Sequence, residues 1–258
     1  MRGRTLERHQ QRPAARLRRG FPRAYLAPSL QASFAWREDF IRTFLARDLA
    51  ELGVRVPATT MRRFWTMVAH CSGGIWNGSA IGSSLGESHT TIRRHLDALS
   101  SALVVRVLQP WFENLAKRQV KSPKVYVRDS GLLHALLSVR SQTDLDRHPQ
   151  LGASWEGFVI EQLLAQTRPG DSYYWRTQAG AELDLLLLHR GQRWGVEVKY
   201  ADAPRLTPSM TTAHDDLKLH RLLVVYPGER SYRLAPKVEA MPMQAAVELL
   251  HGGRGGPW

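Results

Sequence analysis

Glu182-Leu-Asp-Leu-Leu-Leu-Leu188, a turn around Arg190-Gly191, and Trp194-Gly-Val-Glu-Val-Lys-Tyr200 decide the fold of the C-terminal half. Side chains alternate across a strand, so Glu182, Asp184 and Leu186 are predicted to share one face of the first run. On the second run Gly195, Glu197 and Lys199 share a face, and Trp194, Val196, Val198 and Tyr200 take the other. Paired as a hairpin, the two strands bring Asp184 and Glu197 together with Lys199 beside them. Two carboxylates offer hard oxygen ligands suited to Mg²⁺ or Mn²⁺, which keep several waters and complete their shell from a phosphate. Such an ion makes water a better nucleophile and offsets charge on the phosphate, and a nearby lysine orients the water or stabilises that charge. The plain alternative is a solvated hairpin face laced by cross-strand ion pairs.

Upstream, Ala153-Ser-Trp-Glu-Gly-Phe-Val-Ile-Glu-Gln-Leu-Leu164 reads as a helix. Glu156 shares a face with Ile160, Leu163 and Leu164 and is predicted to point toward the sheet, whereas Glu161 lies nearer the polar side. Glu156 is therefore the preferred third carboxylate. A strand at 173–176 precedes the hairpin, and a helix near Met210 to Leu219 and a strand from Leu222 to Tyr226 follow it. Helix, three strands, helix, strand is the predicted order. Arg176 is read as a salt-bridge partner or a phosphate contact.

The N-terminal half has a different periodicity. Phe40, Ile41, Phe44, Leu45, Leu49 and Leu52 form a helical stripe, and Met61, Phe64, Trp65, Val68 and Ala69 form another. A short helix from Asn77 to Leu85, a turn at Gly86 and a longer helix from Ser88 to Ser100 come next. On the longer helix Ile92, Leu96, Leu99 and Leu103 face inward, and Thr90, Thr91, Arg93, Arg94 and Asp97 face out. Two β-rich runs, Val104 to Leu108 and Lys124 to Arg128, flank a loop containing Lys117, Arg118 and Lys121. Three helices and a basic hairpin are the layout of a winged helix, in which the outward side of the 88–100 helix would enter the major groove while the wing meets phosphates. Thr90, Arg93, Arg94, Lys117, Arg118, Lys121 and Lys124 are the candidate nucleic-acid contacts; a solvated basic face or a protein-docking surface is the alternative.

Charge agrees with a polyanionic partner: the net charge is +13 and the pI is near 10.5. Eight arginines between Arg2 and Arg23 are opposed only by Glu7, so more than half of that charge lies in an Arg-rich start read as a solvated tail. One cysteine, Cys71, excludes an intramolecular disulfide and a multi-cysteine zinc site. No apolar run approaches the roughly 20 residues of a membrane span, and no apolar segment follows the basic start as in a secretory signal. A cytoplasmic protein with no membrane partner is the expectation.

Asp184 followed by Glu197-Val198-Lys199, with Glu156 on the preceding helix, resembles the PD-(D/E)XK nuclease superfamily, whose αβββαβ core has the same element order. A longer resemblance, over about residues 18 to 248, is to bacterial and archaeal AAA-type ATPases carrying a C-terminal domain of unknown function. Arg19-Gly-Phe-Pro22, Thr43-Phe-Leu-Ala-Arg-Asp-Leu49, Lys124-Val-Tyr-Val-Arg-Asp-Ser-Gly131, Gly152-Ala-Ser-Trp-Glu156 and Ala181-Glu-Leu-Asp184 carry it. Those relatives begin with a P-loop domain, and the Walker A pattern G-x-x-x-x-G-K-[ST] does not occur in these 258 residues. No ATP site is expected in this chain, which is read as a truncated member, a fragment of a disrupted frame or a stand-alone derivative.

The resemblance and the residues together imply a mixed α and α/β protein: an N-terminal helical segment, a winged helix-turn-helix and a restriction-endonuclease-like domain. The boundaries are a tail at 1–24, a helical segment at 25–56, a winged helix at 57–140, a linker at 141–152, the nuclease-like domain at 153–248 and a tail at 249–258. Asp184, Glu197 and Glu156 are the expected metal ligands, with Lys199 assisting the water. The partners expected are DNA, and a protein or a separate ATPase subunit. The alternative function is a non-catalytic DNA- or protein-binding module.

Overall fold

The computed structural model describes residue 17 and residues 20–112, 119–167 and 171–252. The rest of the Arg-rich start up to residue 19, Lys117 and Arg118 in the loop, and residues 253–258 lie outside the described residues. The chain divides into two compact units: residues 1–107 with 125–154, and residues 108–124 with 155–258.

The first unit is helical, and its helix starts are written in the local sequence. Helix α1 (Pro22–Tyr25) leads to α2 (Leu30–Thr43), which Ser29 caps by accepting the Ala32 N–H at 3.0 Å. A π-helical turn (Phe44–Asp48) and a short α3 (Leu49–Glu51) extend it. After α4 (Ala58–His70), Asn77 caps α5 (Gly78–Leu85) through the Ala80 N–H, and Ser88 caps α6 (His89–Ser101) through the Thr91 N–H. Gly86 ends α5 at φ +71°, a left-handed conformation that glycine adopts without strain. Ile41, Phe44, Met61, Phe64, Trp65, Val68, Ile92 and Leu99 interlock as one buried core. Strands β1 (Val105–Leu108) and β2 (Lys124–Val127) pair in a two-stranded ladder, and Val125 exchanges backbone hydrogen bonds with Gly73 and Gly74.

Asp129 caps α7 (Ser130–Leu136), and a Ser141/Asp144 capping box opens α8 (Gln142–Asp146). Residues 141–152, expected as a linker, therefore hold a helix whose Leu145 is buried with Leu17 and Val139. The polar composition misled because the capping residues themselves are polar. The expected tail likewise ends early: Ala24, inside α1, is fully buried.

Arg37 ties this unit together. It is fully buried on α2; its Nη1 donates to the carbonyls of Leu17 and Gly131, both at 2.8 Å, and its Nε donates to the Ser33 carbonyl. The planar fork reaches two distant backbone acceptors at once, which an ammonium does not reproduce.

The second unit is built on a six-stranded mixed sheet of order β3-β4-β5-β6-β8-β7. From Trp155 onward α9 (Leu151–Thr167) belongs to it, burying Val159, Ile160 and Leu163. Strands β3 (Asp171–Arg176), β4 (Glu182–His189) and β5 (Gln192–Val198) run antiparallel in succession. Helix α10 (Pro208–Asp216) then packs on β4 and β6 (Arg221–Tyr226), and β6 lies parallel to β5. The helix–three strands–helix–strand order is present. Beyond it, β7 (Tyr232–Ala235), β8 (Val238–Pro242) and α11 (Met243–His251) complete the unit, with Leu250 buried where a tail was expected.

The segment expected as a free basic wing differs most. Tyr174 and Gln109 are joined by a backbone hydrogen bond, as are Trp111 with Tyr174 and Val120 with Arg176; Gln119 bridges Thr177. β3 is an edge strand with unpaired N–H and C=O groups, and the described ends of the 108–124 segment satisfy them.

Replacing Arg37 with Met should strand the Leu17 and Gly131 carbonyls and lower stability by about 3 kcal/mol. Urea unfolding of the two proteins measures this; a loss under about 1 kcal/mol would show that Arg37 is not the tie described.

Candidate functional site

The site grows from an irregularity in β4. Tyr173 pairs with Leu186 but Trp175 pairs with Leu183, so Asp184 and Leu185 together stand opposite Tyr174 alone. This is a β-bulge on β4. Leu183 and Leu186 both enter the same apolar core cluster, which strict alternation forbids for residues three apart. The expectation that Leu186 shares a face with Glu182 and Asp184 is thus corrected: Glu182 and Asp184 both reach Lys124, and the bulge turns Leu186 into the core instead. The β4–β5 register runs from His189 opposite Gln192 to Leu185 opposite Val196, and there Asp184 takes over: its Oδ2 accepts the Val198 N–H at 2.9 Å. Gly195 lets the layers close, because a Cβ there would stand 2.5 Å from Leu219 Cδ1 and 3.0 Å from Leu222 Cδ1.

Lys124 lies at the centre of the cluster. Its Nζ is 3.1 Å from Glu156 Oε1 and 3.3 Å from Asp184 Oδ1, and it also pairs with Glu182 Oε1. Its side chain is 3% exposed. Glu182 is fixed from two further directions: Arg176 Nη1 meets its Oε2 at 3.1 Å, and Ser209 Oγ bridges its backbone N–H and carbonyl. The Tyr174 ring lies under Lys124 at 5.8 Å, and the Tyr174 hydroxyl donates to the Ser122 carbonyl. Burial pushes the Tyr174 phenol up to about 12.

Glu197 completes the group. Lys199 Nζ donates to its Oε1 at 2.6 Å, while its Oε2 is buried with no hydrogen-bond partner. Burial, and next the charge of Asp184, push the Glu197 carboxyl up to about 8 against the opposing pull of Lys199. Burial alone would lower the Lys199 ammonium; the Glu197 charge and hydrogen bond outweigh it and raise it. Glu156, Glu182, Asp184 and Glu197 thus face Lys124, Lys199 and Arg176, one negative charge in excess when every group is ionised.

Of the residues singled out in the sequence, Asp184, Glu197, Lys199 and Glu156 come together here. Lys124 is a correction: expected on a phosphate-binding wing, it is buried and committed to three carboxylates. Its place at the head of a β-rich run gave no sign of this, since the carboxylates lie 32 to 60 positions away. Arg176, expected as a salt-bridge partner or a phosphate contact, pairs with Glu182, and Glu182, expected only to share a face with Asp184, joins the cluster through Lys124. Thr90, Arg93 and Arg94 are exposed on α6 and Lys121 is exposed in the 108–124 segment. Among the described residues, no group of three His, Cys, Asp or Glu side chains is arranged to hold a metal ion by itself, and no helix is long and apolar enough to cross a membrane.

Residues 13–143 match the family model described as Domain of unknown function (DUF8612), and residues 151–246 match Domain of unknown function (DUF4143). Uncharacterized proteins of Mycobacterium bovis and Mycobacterium tuberculosis are each 53% identical over 226 residues, covering 88% of this chain and 51% of their own. The chain spans about half the length of these curated relatives. No solved structure matches it.

The Glu197 carboxyl sets a pH dependence whose sign follows from its direction. Its value in the fold lies above the ordinary 4.5, so the folded chain holds a proton that the unfolded chain releases. The resulting stability is complete below pH 4.5 and is lost as pH rises through 8. The unfolding midpoint of the wild type should fall across that window, and Glu197→Gln should remove most of the slope. Thermal melts at stepped pH test it; a slope that Glu197→Gln leaves intact would assign the proton elsewhere.

Proposed function

The chain belongs to the family described as Domain of unknown function (DUF8612), and from that premise we propose that it is a nucleic-acid-associated protein in which a winged-helix module contacts DNA and a nuclease-like domain acts on the phosphodiester backbone with Mg²⁺ or Mn²⁺. The observation that carries this reading is the meeting of Asp184, Glu156, Glu197 and Lys199 around one β-bulge. Every donor there is a carboxylate oxygen, the chemistry hard divalent ions select. The cluster already gathers around a cation, and the buried Oε2 of Glu197 has no partner. The donor chemistry supports such an ion, which would need these groups to shift, since among the described residues no three of them stand arranged to hold one by themselves.

Asp184 and Glu197 would hold the ion and Glu156 would complete or position its shell. Bound there, it would supply a Lewis acid that polarises the phosphodiester and acidifies a water. Lys199, partly exposed beside Glu197, is placed to donate to a phosphate oxygen or to orient the attacking water. On α6, Thr90, Arg93 and Arg94 present donors outward, suited to phosphates and base edges. No ATP site is proposed for these residues.

Lys124 favours a second reading. A carboxylate cluster already neutralised by a resident ammonium suits a non-catalytic module that binds DNA or protein.

Incubation with plasmid, single-stranded and branched DNA plus Mg²⁺ or Mn²⁺ separates the two. The nuclease reading expects cleavage that Asp184→Ala and Lys199→Ala each reduce about 100-fold or more. Cleavage indifferent to Asp184→Ala, or none on any substrate, would leave the binding-module reading. For the helical module, Arg93→Ala with Arg94→Ala should weaken DNA binding and flatten the log K against log [salt] slope by roughly 1 per arginine. An unchanged slope would move the DNA surface off α6.

A further inference from the structure

The resident lysine has a consequence for any ion at this site. Lys124 Nζ shares Glu156 Oε1 and Asp184 Oδ1, at 3.1 and 3.3 Å, and pairs with Glu182 as well. A Mg²⁺ bound by the same oxygens sits about 2.1 Å from each. It would therefore overlap the ammonium's position, and two cations in a site this dry repel strongly. We propose that Lys124 is the built-in occupant of the cation position formed by Glu156 and Asp184, and that a divalent cation binds these carboxylates only by displacing it. The inference rests on the reading that the cluster takes a divalent ion.

Two features beyond the acidic cluster support it. Glu197 Oε2 is buried beside the cluster without a hydrogen-bond partner, so neither Lys124 nor Lys199 serves it. The segment that delivers Lys124 is held on β3 by separate contacts: Val120 N–H to the Arg176 carbonyl, the Gln119–Thr177 bridge and the Tyr174 hydroxyl to the Ser122 carbonyl. Lys121 and Ser122, just before Lys124, are exposed. The ammonium is thus buried within three residues of an exposed stretch, and once displaced it becomes available to an anionic ligand such as a phosphate.

Calorimetric titration of MnCl₂ into the wild-type chain, Lys124→Gln and Asp184→Asn tests the exclusion. A resident competitor lowers apparent affinity in proportion to the competitor-free fraction, so Lys124→Gln should bind Mn²⁺ about tenfold more tightly or better. Asp184→Asn should not bind. Equal affinities of wild type and Lys124→Gln, both dependent on Asp184, would overturn the displacement while leaving the metal reading standing. No Mn²⁺ binding by wild type or Lys124→Gln would overturn both. Amine-reactive labelling of the wild type, read by mass spectrometry, gives a second measure that needs no variant to fold. Lys124 should be protected without Mn²⁺ and labelled with it; protection that persists at saturating Mn²⁺ overturns the inference.

Discussion

A carboxylate withdrawn from water must find a cation or keep a proton, and the sheet of the second unit is arranged around that demand. Asp184 and Glu197 are both nearly buried beside the end of the β4–β5 pairing. Asp184 spends one oxygen on the Val198 N–H and the other on Lys124. Glu197 spends one on Lys199 and leaves the other bare. The bulge on β4, the glycine that lets Leu219 and Leu222 close over β5, and the Ser209 bridge to Glu182 all serve to hold this charged group at fixed distances.

That arrangement is costly in stability and is informative for the same reason. A buried charged cluster contributes less to folding than an apolar one of equal volume, and breaking it by removing one partner is more damaging than replacing it whole. Lys124, Lys199 and Arg176 reduce the excess charge but leave one carboxylate oxygen unserved. The resident lysine meets three of the carboxylates at once.

The first unit illustrates a different division of labour. Ser29, Asn77, Ser88, Asp129 and Ser141 each cap a helix with their own side chain, so the helix starts follow from local hydrogen bonding. Arg37 is the exception, a buried charge that serves backbone carbonyls 20 and 94 positions away. No local pattern announces it, because an arginine on a helix is ordinarily read as a solvated residue.

The sequence by itself determined the helices, the order of helix, three strands, helix and strand, and the residue types of the site: Asp184, Glu197 and Lys199 with Glu156 upstream. Those features rest on periodicity and capping, which operate within a few residues. Only the tertiary structure decided the bulge at Asp184, the pairing of the 108–124 segment along β3, and the burial of Lys124 among carboxylates. Alternation says which face a side chain takes only while the pairing stays regular, and a single extra residue opposite Tyr174 cancels it. The partner of a charge is likewise set by what folding brings near it, so Lys124 read alone is a basic loop residue and in place is the counter-ion of the site.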